Sequence, residues 1–139
     1  MAPSRLEAHH TETVRVSWAD TDAGGGMHFS AGLRYAEAAE AGFRRRLGIL
    51  DDWGRYPRRT ISATFHSMLR FDDELEVRLR LESVGTTSIS WAWEIVRGAE
   101  LCIEGRHVAV HVGADQRPRP LPAAVRSSLE QMHEAEARR

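Results

Sequence analysis

The chain contains no lysine; all 19 of its basic side chains are arginine. This excludes Schiff-base catalysis by lysine, lysine-dependent phosphate loops and a kinase-type lysine. Cysteine is almost missing too. A lone Cys102 cannot form an internal disulfide, and it excludes a zinc site built on several cysteines. No run approaches the ~20 apolar residues that span a bilayer, so no membrane partner is expected. Met1 to His10 is polar and lacks the apolar centre of a signal peptide, so a cytoplasmic protein is expected. Neither charge sign dominates: 19 basic and 20 acidic side chains leave a net charge of −1. Proteins that hold duplex nucleic acid show a basic excess, so no nucleic-acid partner is expected either.

What is present suits one globular domain. The chain has 139 residues, 42% of them hydrophobic and 28% charged. A chain of this size buries roughly two-thirds of its unfolded surface and needs no metal or disulfide staple. Residues 1–10 read as a flexible arm, 11–122 as the folded domain and 123–139 as a C-terminal helix and tail. In 12–18, Val14, Val16 and Trp18 alternate with polar residues, the period of a half-buried strand. A glycine-rich loop follows. From about Ser30 to Leu47 the apolar residues Leu33, Ala36, Ala39, Phe43 and Leu47 recur at three- and four-residue steps, with Glu40 beside them. This predicts a long helix with Ser30 as its N-cap and Gly48 as its stop.

Four strands are predicted next. Ile61, Ala63, Phe65, Ser67 and Leu69 alternate with polar residues; so do Leu75, Val77, Leu79 and Leu81, then Ile89, Trp91, Trp93 and Ile95. The last strand runs over 100–112, with His107 and His111 on one face. Short turns make neighbours antiparallel. Three prolines at Pro118, Pro120 and Pro122 end the sheet, and 123–137 reads as a charged helix that frays at Arg138-Arg139. Strand, alanine-rich helix and four antiparallel strands make a two-layer α+β plan. Its edge strands invite pairing with a second copy.

The densest chemistry lies in Trp18-Ala19-Asp20-Thr21-Asp22-Ala23-Gly24-Gly25-Gly26-Met27-His28-Phe29-Ser30. Two carboxylates stand at a strand end, and a glycine loop leads from them into a helix N-terminus. The free N–H groups and positive dipole there can hold a developing oxyanion. A carboxylate one loop away can attack a carbonyl carbon or activate water. The same residues also allow a plainer role, in which Asp20 and Asp22 accept loop N–H groups.

Asp20-Thr21-Asp22, Met27-His28-Phe29 and Leu33-Arg34-Tyr35-Ala36-Glu37-Ala38-Ala39 resemble the signature of the 4-hydroxybenzoyl-CoA thioesterase family of hotdog-fold proteins. The resemblance continues at Arg70-Phe71-Asp72-Asp73-Glu74-Leu75 and covers roughly residues 12–122. It implies a hotdog fold, in which a curved five-stranded antiparallel sheet wraps a long central helix, with a short C-terminal helix beyond. It implies a homodimer or homotetramer with the site at the subunit interface. The implied activity is hydrolysis of acyl thioesters of coenzyme A or an acyl carrier protein. Asp22 would be nucleophile or general base, and the Phe29 backbone N–H would polarise the thioester carbonyl. Gly26, Met27, His28 and Ser30 would line the substrate. No cofactor is implied, coenzyme A being part of the substrate. The sequence departs from the family pattern in its three consecutive glycines and in Ala31-Gly32, where an Asn-Tyr pair is usual. A non-catalytic acyl-CoA-binding or partner-binding module and a hotdog dehydratase or hydratase are the alternatives.

Other candidates are weaker signals. Glu37 is a carboxylate on the helix, where a second hotdog branch places its reacting group. His66 lies on a predicted strand, chiefly as a sheet-face residue, and is a further candidate for the site. Arg58, Arg59 and Arg70 can meet coenzyme A phosphates. Cys102 reads as a small core residue and Trp91 and Trp93 as core or interface. No metal is expected from a set with a single nearby histidine.

Overall fold

The computed structural model describes residues 4–137. Met1 to Pro3 and the Arg138-Arg139 tail lie outside the described residues. Five strands, β1 (His10–Arg15), β2 (Arg58–Phe65), β3 (Glu74–Val84), β4 (Ser88–Arg97) and β5 (Glu100–Val110), accompany two helices, α1 (Phe29–Arg46) and α2 (Ala123–Ala137). The strands form one antiparallel sheet in the order β1-β3-β4-β5-β2.

The register explains the core. Val77 pairs Ile95, Leu79 pairs Trp93, Leu81 pairs Trp91, and Ile95 in turn pairs Ile103. All these side chains point to one face and all are buried there. Period-two alternation makes such a face automatically. Against it α1 lays Ala31, Ala36, Ala39 and Phe43, and the Phe43 ring meets Trp91 edge-on at 5.7 Å. Small residues let the helix settle close. Gly32 is a case in point, since a Cβ there would lie 3.2 Å from Ile103 Cδ1. Its cost of ~1 kcal/mol in helix propensity is offset by this approach.

Several expectations need correction. The first strand starts at His10 and ends at Arg15, so Trp18 leaves the buried face and is 63% exposed. The described part of the N-terminal arm is tied down: Ser4 Oγ and the N–H groups of Arg5 and Leu6 all donate to the buried Glu94 carboxylate. The second strand covers 58–65 rather than 61–70, and its apolar face is not core: Ile61 and Phe65 are 49% and 47% exposed. The cause is its place at the sheet edge, because α1 packs toward the β1–β3 side and leaves Ile61 and Phe65 uncovered. The helix begins one residue earlier than expected, and its N-cap is His28 rather than Ser30. Glu40 is fully buried, where its Oε1 lies 2.7 Å from His107 Nε2 and 2.8 Å from Arg58 Nη2.

Candidate active site

The chain leaves β1 at Arg15, makes a single 3-10 turn over Trp18–Asp20, and doubles back before α1. Asp20 anchors this passage. Its buried carboxylate accepts from the Tyr35 hydroxyl at 2.6 Å, from the Arg34 guanidinium at 2.5 Å and from Ser17 Oγ at 3.0 Å. Its backbone carbonyl accepts from His28 N–H at 2.7 Å. The Tyr35 and Arg34 hydrogen bonds hold the Asp20 carboxyl below the ordinary carboxylate range, and burial with Asp20 as partner pushes Tyr35 up to about 12. A carboxylate so fully engaged joins the strand end to the first two turns of α1; it has no oxygen left for chemistry.

Asp22 is placed differently. Its N–H donates to Gly26 O at 2.8 Å, and its carbonyl accepts from Gly25 N–H at 3.1 Å, which closes a tight reverse turn. Gly25 sits at φ 83°, a conformation that favours glycine. The Asp22 side chain is exposed; Oδ1 accepts from Gly24 N–H at 2.8 Å, and Oδ2 has no partner among the described residues. Gly26 lies against Met68, whose sulfur would stand 2.5 Å from a Cβ at that position. Met27 N–H then donates to Leu69 O at 2.7 Å, and Gly26 bridges Arg70. The carboxylate turn thus leans on the segment between β2 and β3.

At the helix start, His28 Nδ1 accepts from Ser30 N–H at 3.3 Å and lies 2.9 Å from Ser30 Oγ. Phe29 is the first helical residue, so its N–H has no acceptor within the helix. The Phe29 ring lies tilted against His28 at 4.6 Å and is 61% exposed. Met68 and Phe71, both 60% exposed, extend this apolar border along the neighbouring segment.

The remaining candidates divide. Arg70 pairs with Gly26 beside the turn, and its guanidinium makes no hydrogen bond or ion pair among the described residues. Arg59 is exposed and equally unpaired among them. Arg58, by contrast, has its charge answered by Glu40 at 2.8 Å and Glu37 at 3.6 Å. Glu37 lies eight residues beyond Phe29, ~12 Å further along the helix, and does not join Asp22 within one chain. His66 lies 3.3 Å from Glu104. Cys102 is buried and burial pushes its thiol up. No three His, Cys, Asp or Glu among the described residues converge on a common metal position.

Sequence reasoning missed the Asp20–Arg34–Tyr35 anchor as a unit, although an acid followed by Arg-Tyr at helical reach was visible. It also missed Arg97, which ties together Met68, Asp73 and Glu100. The acidic pair Asp72-Asp73 was the one available sign, read as part of the family resemblance and not as a partner for a distant arginine.

A long helix held by one antiparallel sheet, with this carboxylate turn at the helix mouth, is the architecture of a hotdog-fold protein. The chain belongs to the Thioesterase-like superfamily, whose profile matches residues 16–129. It is similar to the acyl-CoA thioester hydrolase YbgC of Escherichia coli, 25% identical over 126 residues, 85% of this chain and 93% of that one. Solved structures agree on the fold. A 1,4-dihydroxy-2-naphthoyl-CoA thioesterase from Synechocystis superposes with a TM-score of 0.80 at 20% identity, covering 89% of this chain and 97% of that one. A thioesterase from Thermus thermophilus, complexed with coenzyme A and zinc, gives a TM-score of 0.80 at 24% identity over 91% and 96% of the two chains.

Proposed function

We propose that this protein hydrolyses acyl thioesters of coenzyme A or of an acyl carrier protein, with Asp22 as the reacting carboxylate. One observation carries the reading: Asp22 keeps a free, exposed carboxylate oxygen on a turn that leads straight into the open N–H of Phe29. The names of the similar proteins support the substrate class.

Two routes balance. In one, Asp22 attacks the thioester carbonyl, the C–S bond breaks, the thiolate leaves, and water hydrolyses the resulting anhydride. In the other, Asp22 takes a proton from water as the hydroxyl adds to the carbonyl, and the tetrahedral adduct collapses by breaking the C–S bond and expelling the thiolate, leaving the free acid. Both routes place negative charge on the carbonyl oxygen, which the Phe29 N–H and the α1 dipole stabilise. A thiolate is a good leaving group, so neither route demands a dedicated general acid. Gly26, Met27, His28 and Ser30 line the approach, and Arg70 and Arg59 offer free guanidinium groups to coenzyme A phosphates.

The chain acts as a homodimer in this reading. Edge strand β2 presents unpaired backbone groups together with exposed Ile61 and Phe65, and a second β2 pairing antiparallel satisfies both.

The test is thiol release from short, long and aromatic acyl-CoA thioesters by wild type and Asp22→Asn. Wild type should release thiol and the variant should be at least about 100-fold slower, the range of a lost acid–base group. A variant as fast as wild type removes Asp22 from the mechanism. Absence of release from both coenzyme A and carrier-protein thioesters removes the hydrolase.

A further inference from the structure

Arg97 closes β4, outside every motif that points to the site. Its Nη1 donates to Asp73 Oδ2 at 2.8 Å and to Met68 O at 3.2 Å, while Nη2 donates to Glu100 Oε1 at 2.8 Å. Glu100 reaches on to Ser67, whose hydroxyl donates to Oε2 at 2.5 Å. Asp73 Oδ2 also accepts from Arg70 N–H at 2.9 Å. One guanidinium therefore gathers Ser67, Met68, Arg70 and Asp73, nearly the whole link between β2 and β3.

That link holds the candidate site from both sides. Ahead of the carboxylate turn, Val16 N–H donates to Asp73 O at 3.0 Å and Val16 O accepts from Asp72 N–H at 2.9 Å. Behind it, Leu69 O accepts from Met27 N–H at 2.7 Å, two residues before Phe29. Within the link Asp72 holds φ 69°, a left-handed conformation uncommon outside glycine. Such a conformation persists only where the surroundings impose it, and Asp73, next along the chain, is where Arg97 grips. Burial alone would raise the Asp73 carboxyl; the Arg70 N–H and Arg97 instead hold it below the ordinary range, so the grip is on a carboxylate.

We infer that Arg97 is a positioning residue for thioester hydrolysis: by fixing the 67–73 link it sets the Leu69 carbonyl, hence the Met27 amide, hence the Phe29 N–H that meets the oxyanion. This rests on the reading of Phe29 given above. A point-charge lysine cannot fork between Asp73 and Glu100, so charge alone does not replace it.

The experiment compares wild type, Arg97→Ala, Arg97→Lys, Asp73→Asn and Asp22→Asn. It measures kcat and KM on the best acyl-CoA substrate, and amide hydrogen exchange at Met27 without substrate. Arg97→Ala should lower kcat about tenfold, the scale of a sub-ångström misplacement, with KM within about twofold. Met27 should exchange faster while β3 and β4 amides keep wild-type protection. Arg97→Lys should fall between the two. A kcat within twofold of wild type, or unchanged Met27 exchange, overturns the proposal. If Arg97→Ala loosens the whole sheet, Asp73→Asn decides, because it removes one arm only; wild-type kcat and Met27 exchange in that variant also overturn it. An Asp22→Asn enzyme as fast as wild type would sink the catalytic reading, whereas the Met27 exchange would still report whether Arg97 sets the turn.

Discussion

Asp20 and Asp22 stand two residues apart, and the fold treats them in opposite ways. Around Asp20 converge a tyrosine, an arginine and a serine, so that both carboxylate oxygens are occupied and the carboxylate is largely buried. Around Asp22 there are backbone groups and solvent, and one oxygen is free among the described residues. A carboxylate that must react needs a free lone pair and access; one that must hold a helix in place needs neither. In the proposed mechanism the Asp20 cluster holds the helix start in place and the Asp22 turn supplies the reacting carboxylate.

Exchanging the two roles by mutation gives the widest contrast. Asp22→Asn should abolish most turnover, by the 100-fold or more given above, while leaving the thermal midpoint near wild type. Asp20→Asn should do the reverse in stability, costing about 2 kcal/mol for the lost charged acceptor, read by urea unfolding. If Asp22→Asn unfolds the protein and Asp20→Asn does not, the contrast is inverted and the assignment fails.

The sheet edges offer the next test. His9 and α2 pack against β3, whereas β2 leaves Ile61 and Phe65 exposed on its inner face. Ile61→Arg should leave the single chain folded, since that side chain is not core. It should halve the mass seen by analytical ultracentrifugation, and activity should fall with it. Retention of the wild-type mass would mean that β2 is not the pairing edge.

A smaller effect separates the two anchored tyrosines from free phenols. The chain has two tyrosines, Tyr35 and Tyr56. Burial, with Asp20 and Asp52 respectively as partners, pushes each up to about 12. A raised phenol favours the folded state below its unfolded value, about 10, and that stability disappears as pH climbs through 12. Ultraviolet titration should therefore show no tyrosinate until near pH 12. Asp20 works at the other end with the opposite sign. Its folded value is depressed, so its stability is present above about pH 4 and drains away as pH falls through the depressed value. Asp20→Asn should flatten that acid limb.

Much of this was readable in the residues, and the failures have a common physical origin. β3 and β4 were legible because each lies inside the sheet, where one face is core and alternation follows. β2 was misread at its ends because its apolar face, Ile61 and Phe65, looks like core but lies where no helix covers it. The carboxylate turn was legible because its parts are adjacent in sequence. Arg97 was not, because its partners Asp73 and Met68 lie 24 and 29 residues away and nothing local distinguishes it from other arginines. Glu40 fell in a helical apolar stripe, and only the partners brought by β2 and β5, Arg58 and His107, explain a buried acid there.

The finest comparison lies at the helix start, between cap and substrate contact. Ser30 has the better residue type for an N-cap, yet His28 holds that place because Asp20 O binds its N–H and turns its ring nitrogen back to Ser30 N–H. The same ring also borders the candidate site beside Phe29, so the two roles need separating. Asparagine can accept the Ser30 N–H without offering an imidazole. If the cap is what matters, His28→Asn should match wild type in stability and kcat, and His28→Ala should lose about 1 kcal/mol, measured by denaturant unfolding. If the ring touches substrate, both variants should raise KM alike, with the stability difference between them unchanged. Equal stability of the two variants would show that the N-cap is carried by the Asp20 carbonyl alone.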